Sequence, residues 1–231
     1  MERKRLGSGI AAGILALVVA ATMALLTQLP ARPAAQAAVH DHLNTTSQRS
    51  AAVALRLKMR KLWEDHITWT RMFIVSVIAE LPDADAAAGR LLANQDHIGD
   101  AIKPFFGEKA GERLSSLLRE HILIAADLVA AAKQGDEAAV EEANARWHRN
   151  ANDIADFLHA ANPRNWPRAE MRSMMADHLD LTLAEATARL TADWDGDVKA
   201  YDRIHRQILH MADMLSTGII RLFPARFSVH R

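Results

Sequence analysis

The sequence has no cysteine, a single tyrosine and only 5% aromatic side chains among its 231 residues. Without cysteine there is no disulfide, no thiolate metal centre and no cysteine nucleophile, so stability has to come from packing. Scarce aromatics argue against β-sandwiches and barrels, and abundant Ala, Leu and Met favour helices. Also missing are a glycine-rich phosphate loop, a G-x-S-x-G elbow and an H-E-x-x-H motif, and no strand pattern could build a nucleotide-binding sheet. These absences point away from enzymes. No charge of one sign dominates either, because 28 Lys and Arg balance 28 Asp and Glu. Residues 1 to 37 hold four of the basic residues and one acid, leaving 24 basic and 27 acidic side chains in the remainder. A net charge of −3 offers no basic face, which excludes nucleic acid as an expected partner.

What is present begins with the N-terminus. MERKR is a basic flank, and Leu6 to Leu29 carry no charge. A run of that length suits a spanning helix, which needs about 20 residues. Ala35-Gln36-Ala37 is an A-x-A cleavage site, so a signal peptide removed after Ala37 competes with an uncleaved anchor. In both readings the basic end stays inside and the rest is exported. The expectation is an anchor in the cytoplasmic membrane with an outward-facing domain, or a secreted or periplasmic protein. Residues 38–50, rich in Ala, Ser and Thr, read as a linker.

Beyond it, Pro and Gly divide the chain into six periodic segments, near 50–80, 84–103, 108–134, 136–161, 167–192 and 197–222. Short connections make consecutive helices antiparallel neighbours. The odd segments contain WEDHITWT, LREHILIA and MADHLDLT, whose histidines, His66, His121 and His178, stand 55 and 57 residues apart. The even segments contain NQDHIGDAI, NANDIADFL and QILHMADML, offset by 56 and 57 residues. This periodicity predicts an all-α fold: a six-helix bundle of three antiparallel hairpins with a repeat of about 56 residues, following an N-terminal hydrophobic helix. The repeats would span about 51–105, 106–163 and 164–224, within one domain at 51–227.

Residues three and four apart share a helix face. His66 then lies with Leu62, Trp69 and Phe73, His121 with Leu118, Ile124 and Leu128, and His178 with Met175, Leu181 and Thr182. Each histidine sits on the apolar stripe and is aimed inward. In the even segments polar residues recur at i, i+3, i+6: Asn94, His97, Asp100; Asn150, Asp153, Asp156; Gln207, His210, Asp213. A hairpin sets each inward histidine opposite such a run. Nitrogen and oxygen donors without sulfur suit Fe, Mn, Zn or Cu, making His66, His121, His178, His97, Asp153, His210 and Asp213 the candidate metal ligands. The competing reading treats them as buried polar layers that fix helix register. The function expected is a protein that binds a metal ion or small ligand, the alternative a non-enzymatic envelope scaffold or interaction module with an envelope-protein partner. The charge runs GDEAAVEEANAR and TARLTADWDGD read as solvated faces and loops.

The strings LWEDHITWTR, NQDHIGDAIKPFFG and ILHMADMLSTGIIRLFP resemble an uncharacterised family of exported bacterial all-helical proteins. The resemblance covers most of residues 55 to 227. It implies export and a helical fold, and it carries no activity and no functional residues.

Overall fold

The structure is a computed structural model that describes residues 33–227, with side chains from residue 51 onward. The segment Leu6 to Leu29 lies outside the described residues. Among those described there is no strand, and seven helices follow one another: α1 (Pro33–Ile78), α2 (Ala84–Phe106), α3 (Glu108–Gln134), α4 (Glu137–Ala161), α5 (Arg168–Leu190), α6 (Trp194–Leu222) and the short α7 (Pro224–Phe227). None is long and apolar enough to cross a membrane.

Each long helix packs on its neighbour in sequence, and α1 also packs on α6. The α1 and α6 seam is a ladder of polar pairs. Arg60 Nε donates to Asp213 at 2.7 Å, His205 and Glu64 meet at 2.8 Å, Thr68 and Tyr201 hydroxyls lie 3.3 Å apart, and Arg71 reaches Asp197 at 2.7 Å. One number rises as the other falls, so the two helices run antiparallel. The α2 and α3 pair owes its closeness to small residues. A Cβ on Gly99 would collide with Ser115 Oγ and the Gly111 carbonyl.

The helix bounds depart from expectation at three places. Helix α1, expected from near residue 50, begins at Pro33, which suits a first helical position, and continues to Ile78. Pro104 does not end α2, which carries it in its last turn. Helix α6 starts at Trp194 rather than near residue 197, because the Asp193 carboxylate caps it by accepting from Gly196 N at 2.9 Å.

The three turns α1/α2, α3/α4 and α5/α6 share one geometry. Glu80, Gly135 and Ala192 all have left-handed backbone, with φ of 55°, 70° and 57°. After each, a backbone N–H reaches back to the helix: Leu81 to Ser76 O at 2.8 Å, Asp136 to Ala131 O at 3.1 Å and Asp193 to Ala188 O at 2.9 Å. This is a Schellman closure of the helix end. The three left-handed residues each stand fourteen positions after His66, His121 and His178.

One apolar core runs through all six long helices, with Trp147 and Trp166 among its largest fully buried members. A small separate layer of Ile74, Val129 and Ala186 lies toward the turns just described. At the opposite end, Asn162 Nδ2 donates to Gly218 O at 3.0 Å and His159 Nδ1 to Trp166 O at 2.9 Å. Trp166 presses on Gly218 where a Cβ would collide with the indole.

A non-glycine residue in the left-handed region costs roughly 1 kcal/mol. Ala192→Gly is therefore expected to stabilise the fold by about 0.5–1 kcal/mol, and Gly135→Ala to destabilise it by a similar amount, both read as shifts in the urea midpoint.

Candidate functional site: a buried histidine junction

The apolar stripes of α1, α3 and α5 bring His66, His121 and His178 together at the centre of the core. They are 2%, 2% and 4% exposed. The His178 ring lies 5.7 Å from that of His66 and 6.2 Å from that of His121, centroid to centroid. Helices α2, α4 and α6 supply what surrounds them.

Each even helix clamps its preceding odd helix with a side-chain amide. Asn94 Nδ2 donates to Leu62 O at 3.0 Å, Asn150 Nδ2 to Leu117 O at 3.1 Å, and Gln207 Nε2 to Met174 O at 3.0 Å. All three acceptors stand four residues before a junction histidine, so each carbonyl is also the helical acceptor of that histidine's own N–H. The amides' donating ends are thereby fixed, and of their oxygens that of Asn150 meets an imidazole while that of Asn94 accepts from Gln95.

That fixes tautomers. Asn150 Oδ1 accepts from His121 Nδ1–H at 2.9 Å, and Trp147 Nε1–H donates to His121 Nε2 at 3.1 Å. Both nitrogens of His121 are occupied, in the neutral form with its proton on Nδ1. For His66 the acceptor is Gln95 Oε1 at 3.2 Å, while Gln95 Nε2 donates to Leu91 O at 2.8 Å and to Asn94 Oδ1 at 3.3 Å. The third corner is incomplete. His178 Nδ1 and Gln207 Oε1 have no hydrogen-bond partner, although the amide lies close enough to favour the protonated ring.

No carboxylate compensates the rings. Burial drives the His66 imidazole well below its ordinary pKa, and the neighbouring His178 and His121 push it the same way. Burial, with His178 beside it, takes His121 from 6.5 down to about 3. Burial also takes His178 down to about 4, with Gln207 opposing. The junction is neutral at physiological pH.

The other four candidate ligands lie elsewhere. His97, Asp153 and His210 are exposed. Asp213 is bound by Arg60, whose guanidinium holds that carboxyl below its usual range. Asp156 is likewise taken by Arg172, and Asp100 by Lys103. Among the described residues no three His, Asp or Glu side chains converge in a geometry that would hold a metal ion.

A second polar cluster escapes the sequence pattern. Arg71, one turn beyond His66 on α1, donates to Glu185 Oε1 at 2.6 Å and to both oxygens of Asp197 at 2.7 and 2.9 Å. Arg189 adds a contact to Asp197 at 3.3 Å, and the Arg71 guanidinium lies 4.8 Å from the Tyr201 ring centre. Glu185 and Asp197 are each 2% exposed, so the run TARLTADWDGD is not wholly a solvated face. Burial raises Glu185 from 4.5 to about 7, with Arg71 opposing and Asp197 reinforcing.

No protein-family profile, curated protein or solved structure matches the chain. The site is therefore read from its own chemistry.

Two outcomes are expected. Below pH 6.5 the unfolded histidines take up three protons that the folded junction refuses, so stability present above 6.5 is lost as pH falls toward 3 to 4. Glu185 opposes this: folded, it keeps its proton up to about 7, whereas unfolded it releases it above 4.5, so its contribution fades as pH rises through that interval. Near pH 5 to 5.5, where the unfolded histidines are almost fully protonated, the net slope should be about two protons, or about 3 kcal/mol per pH unit, and it should fall to about one proton or less by pH 6.5. Glu185→Gln should steepen it toward three protons and His178→Gln should flatten it toward one, in urea midpoints taken at half-unit intervals. Separately, Arg71→Met leaves buried Glu185 without its hydrogen-bonded cation and Asp197 with Arg189 alone, and should cost about 3–5 kcal/mol at pH 7.5. A loss below 1 kcal/mol would show that the cluster is solvated.

Proposed function

We propose that this chain is a non-enzymatic helical module of the cell envelope, a scaffold or interaction domain whose six long helices are three copies of one hairpin. The single observation that carries this reading is the state of His121. Its Nδ1 donates to Asn150 and its Nε2 accepts from Trp147, so the imidazole has no lone pair to offer a metal or a substrate proton. The three amide clamps, repeated at equivalent positions, support the triplication and give the polar layer an architectural task. Buried polar layers of this type select one register among several that apolar packing alone would accept.

The N-terminal run Leu6 to Leu29 supports export, with residues 1–37 as an uncleaved anchor or a signal peptide cut after Ala37. The partner then lies in the envelope, and the same run is the contact with the membrane.

Metal binding is the competing reading, favoured by His66: its Nδ1 is held by an amide oxygen, as in metal centres where the outer nitrogen is fixed so that the inner one ligates. It requires Trp147 to release His121. The protein, purified without chelator or affinity tag and incubated with Fe, Mn, Zn and Cu, is expected to hold no stoichiometric metal by elemental analysis. Stoichiometric metal that disappears in a folded His66→Ala, His121→Ala, His178→Ala variant would overturn the architectural reading. In a double-mutant cycle, His121→Ala and Asn150→Ala should each cost about 1–3 kcal/mol and be coupled by at least about 0.5 kcal/mol.

A further inference from the structure

Between the histidine junction and the α1/α2, α3/α4 and α5/α6 turns, the core is incompletely filled. A void of about 50 Å³ lies among α1, α3 and α5, with Leu91 of α2 and Trp147 of α4 completing its wall. Its origin is a mismatch in side-chain size. One turn beyond the histidines the three odd helices carry Thr70, Ala125 and Thr182, and two turns beyond them Ile74, Val129 and Ala186. Where α1 fills the axis with Thr and Ile, α3 contributes Ala125 and α5 contributes Ala186, and among the described residues nothing takes up the space they leave.

The polar groups nearest the junction are already engaged. Thr70 Oγ1 donates to His66 O and Thr182 Oγ1 to His178 O, each at 2.8 Å, which turns the hydroxyls onto their own helices. The Trp147 N–H is spent on His121. A water needs two to four polar partners, and a void without them stays dry and takes apolar guests. The wall also reaches the surface, since Leu183, which lines it, is 36% exposed.

We propose that this void is a binding site for the end of an aliphatic chain, entering past Leu183. Size selects the guest. An engineered cavity of about 150 Å³ takes benzene, with six carbons; one-third of that volume takes two or three. A free molecule of that size gains too little by burial, at roughly fourfold in affinity per methylene. A longer chain seats its last carbons in the void and runs its remainder out over Leu183. The site does not depend on the architectural reading of the histidines, because none of its wall contacts requires them to be free.

The test is photolabelling of the full-length protein in lipid vesicles with a ten-carbon n-alkanol that carries a diazirine at its terminal carbons. Adducts mapped by mass spectrometry are expected on Leu128, Ala186, Thr187 and Leu190, saturable and displaced by unlabelled decanol more than tenfold better than by butanol. Ala186→Ile supplies the side chain that α1 has at this level and should remove those adducts while the melting temperature holds or rises. Should Ala186→Ile fail to fold, Ala125→Thr serves as the milder filling variant. The proposal is overturned by adducts confined to residues 6–29, by unsaturable labelling, or by equal labelling in a folded filled variant; filling that stabilises a protein never labelled at these residues would mark the void as a packing defect.

Discussion

Three imidazoles gathered at the centre of a core, with His178 against both of the others, can be buried only if none carries a proton in excess. Everything around the junction meets that condition. No carboxylate faces the rings; their hydrogen-bond partners are the neutral amides of Gln95 and Asn150 and the indole of Trp147, with the Gln207 amide near His178. An amide is suited to this because one end donates to a helix carbonyl while the other accepts from an imidazole, so the protein decides which nitrogen holds the proton. A carboxylate in the same place would stabilise the charged ring and invert the pH behaviour. The buried charges are kept one turn or more away, where Arg71 satisfies Glu185 and Asp197 at once.

How far this was legible in the sequence depended on which helix geometry each residue type obeys. The inward aim of His66, His121 and His178 followed from apolar neighbours three and four positions away, and all three are buried. The runs Asn94, His97, Asp100 and their counterparts misled for a geometric reason. Steps of three residues turn a helix by about 300°, so each member is displaced by about 60° from the last. Only the first member of each run, Asn94, Asn150 or Gln207, stays on the core side and clamps a carbonyl; His97, Asp153 and His210 have rotated into solvent. Gln95 was missed because it lies about 100° from Asn94, and its longer side chain makes up the reach to His66.

The Arg71 cluster was illegible for a different reason. Its partners are 114 and 126 residues away, and charged residues on amphipathic helices are ordinarily solvated. Only the docking of α1 against α5 and α6 makes Glu185 and Asp197 interior. Pro104 shows the limits of local punctuation in the same way: a proline in a last turn removes one N–H, and α2 continues around it for two more residues because Phe105 and Phe106 pack against Phe223 and Trp166.

The three corners of the junction differ from one another. His121 has two partners, His66 is reached by a glutamine one position along, and His178 lacks a hydrogen bond on Nδ1. A polar layer of identical corners would let any helix pair occupy any corner, and the pairs could exchange places during folding with little change in energy. Unequal corners remove that degeneracy, because moving Trp147 away from His121 would leave the His121 Nε2 without its donor. The same inequality one turn further on, Thr70 and Thr182 against Ala125, is what leaves the void open. Unequal side chains thus set both the junction and the void beside it: Trp147 is supplied at one corner only, and Ala125 of α3 and Ala186 of α5 stand where α1 carries Thr70 and Ile74.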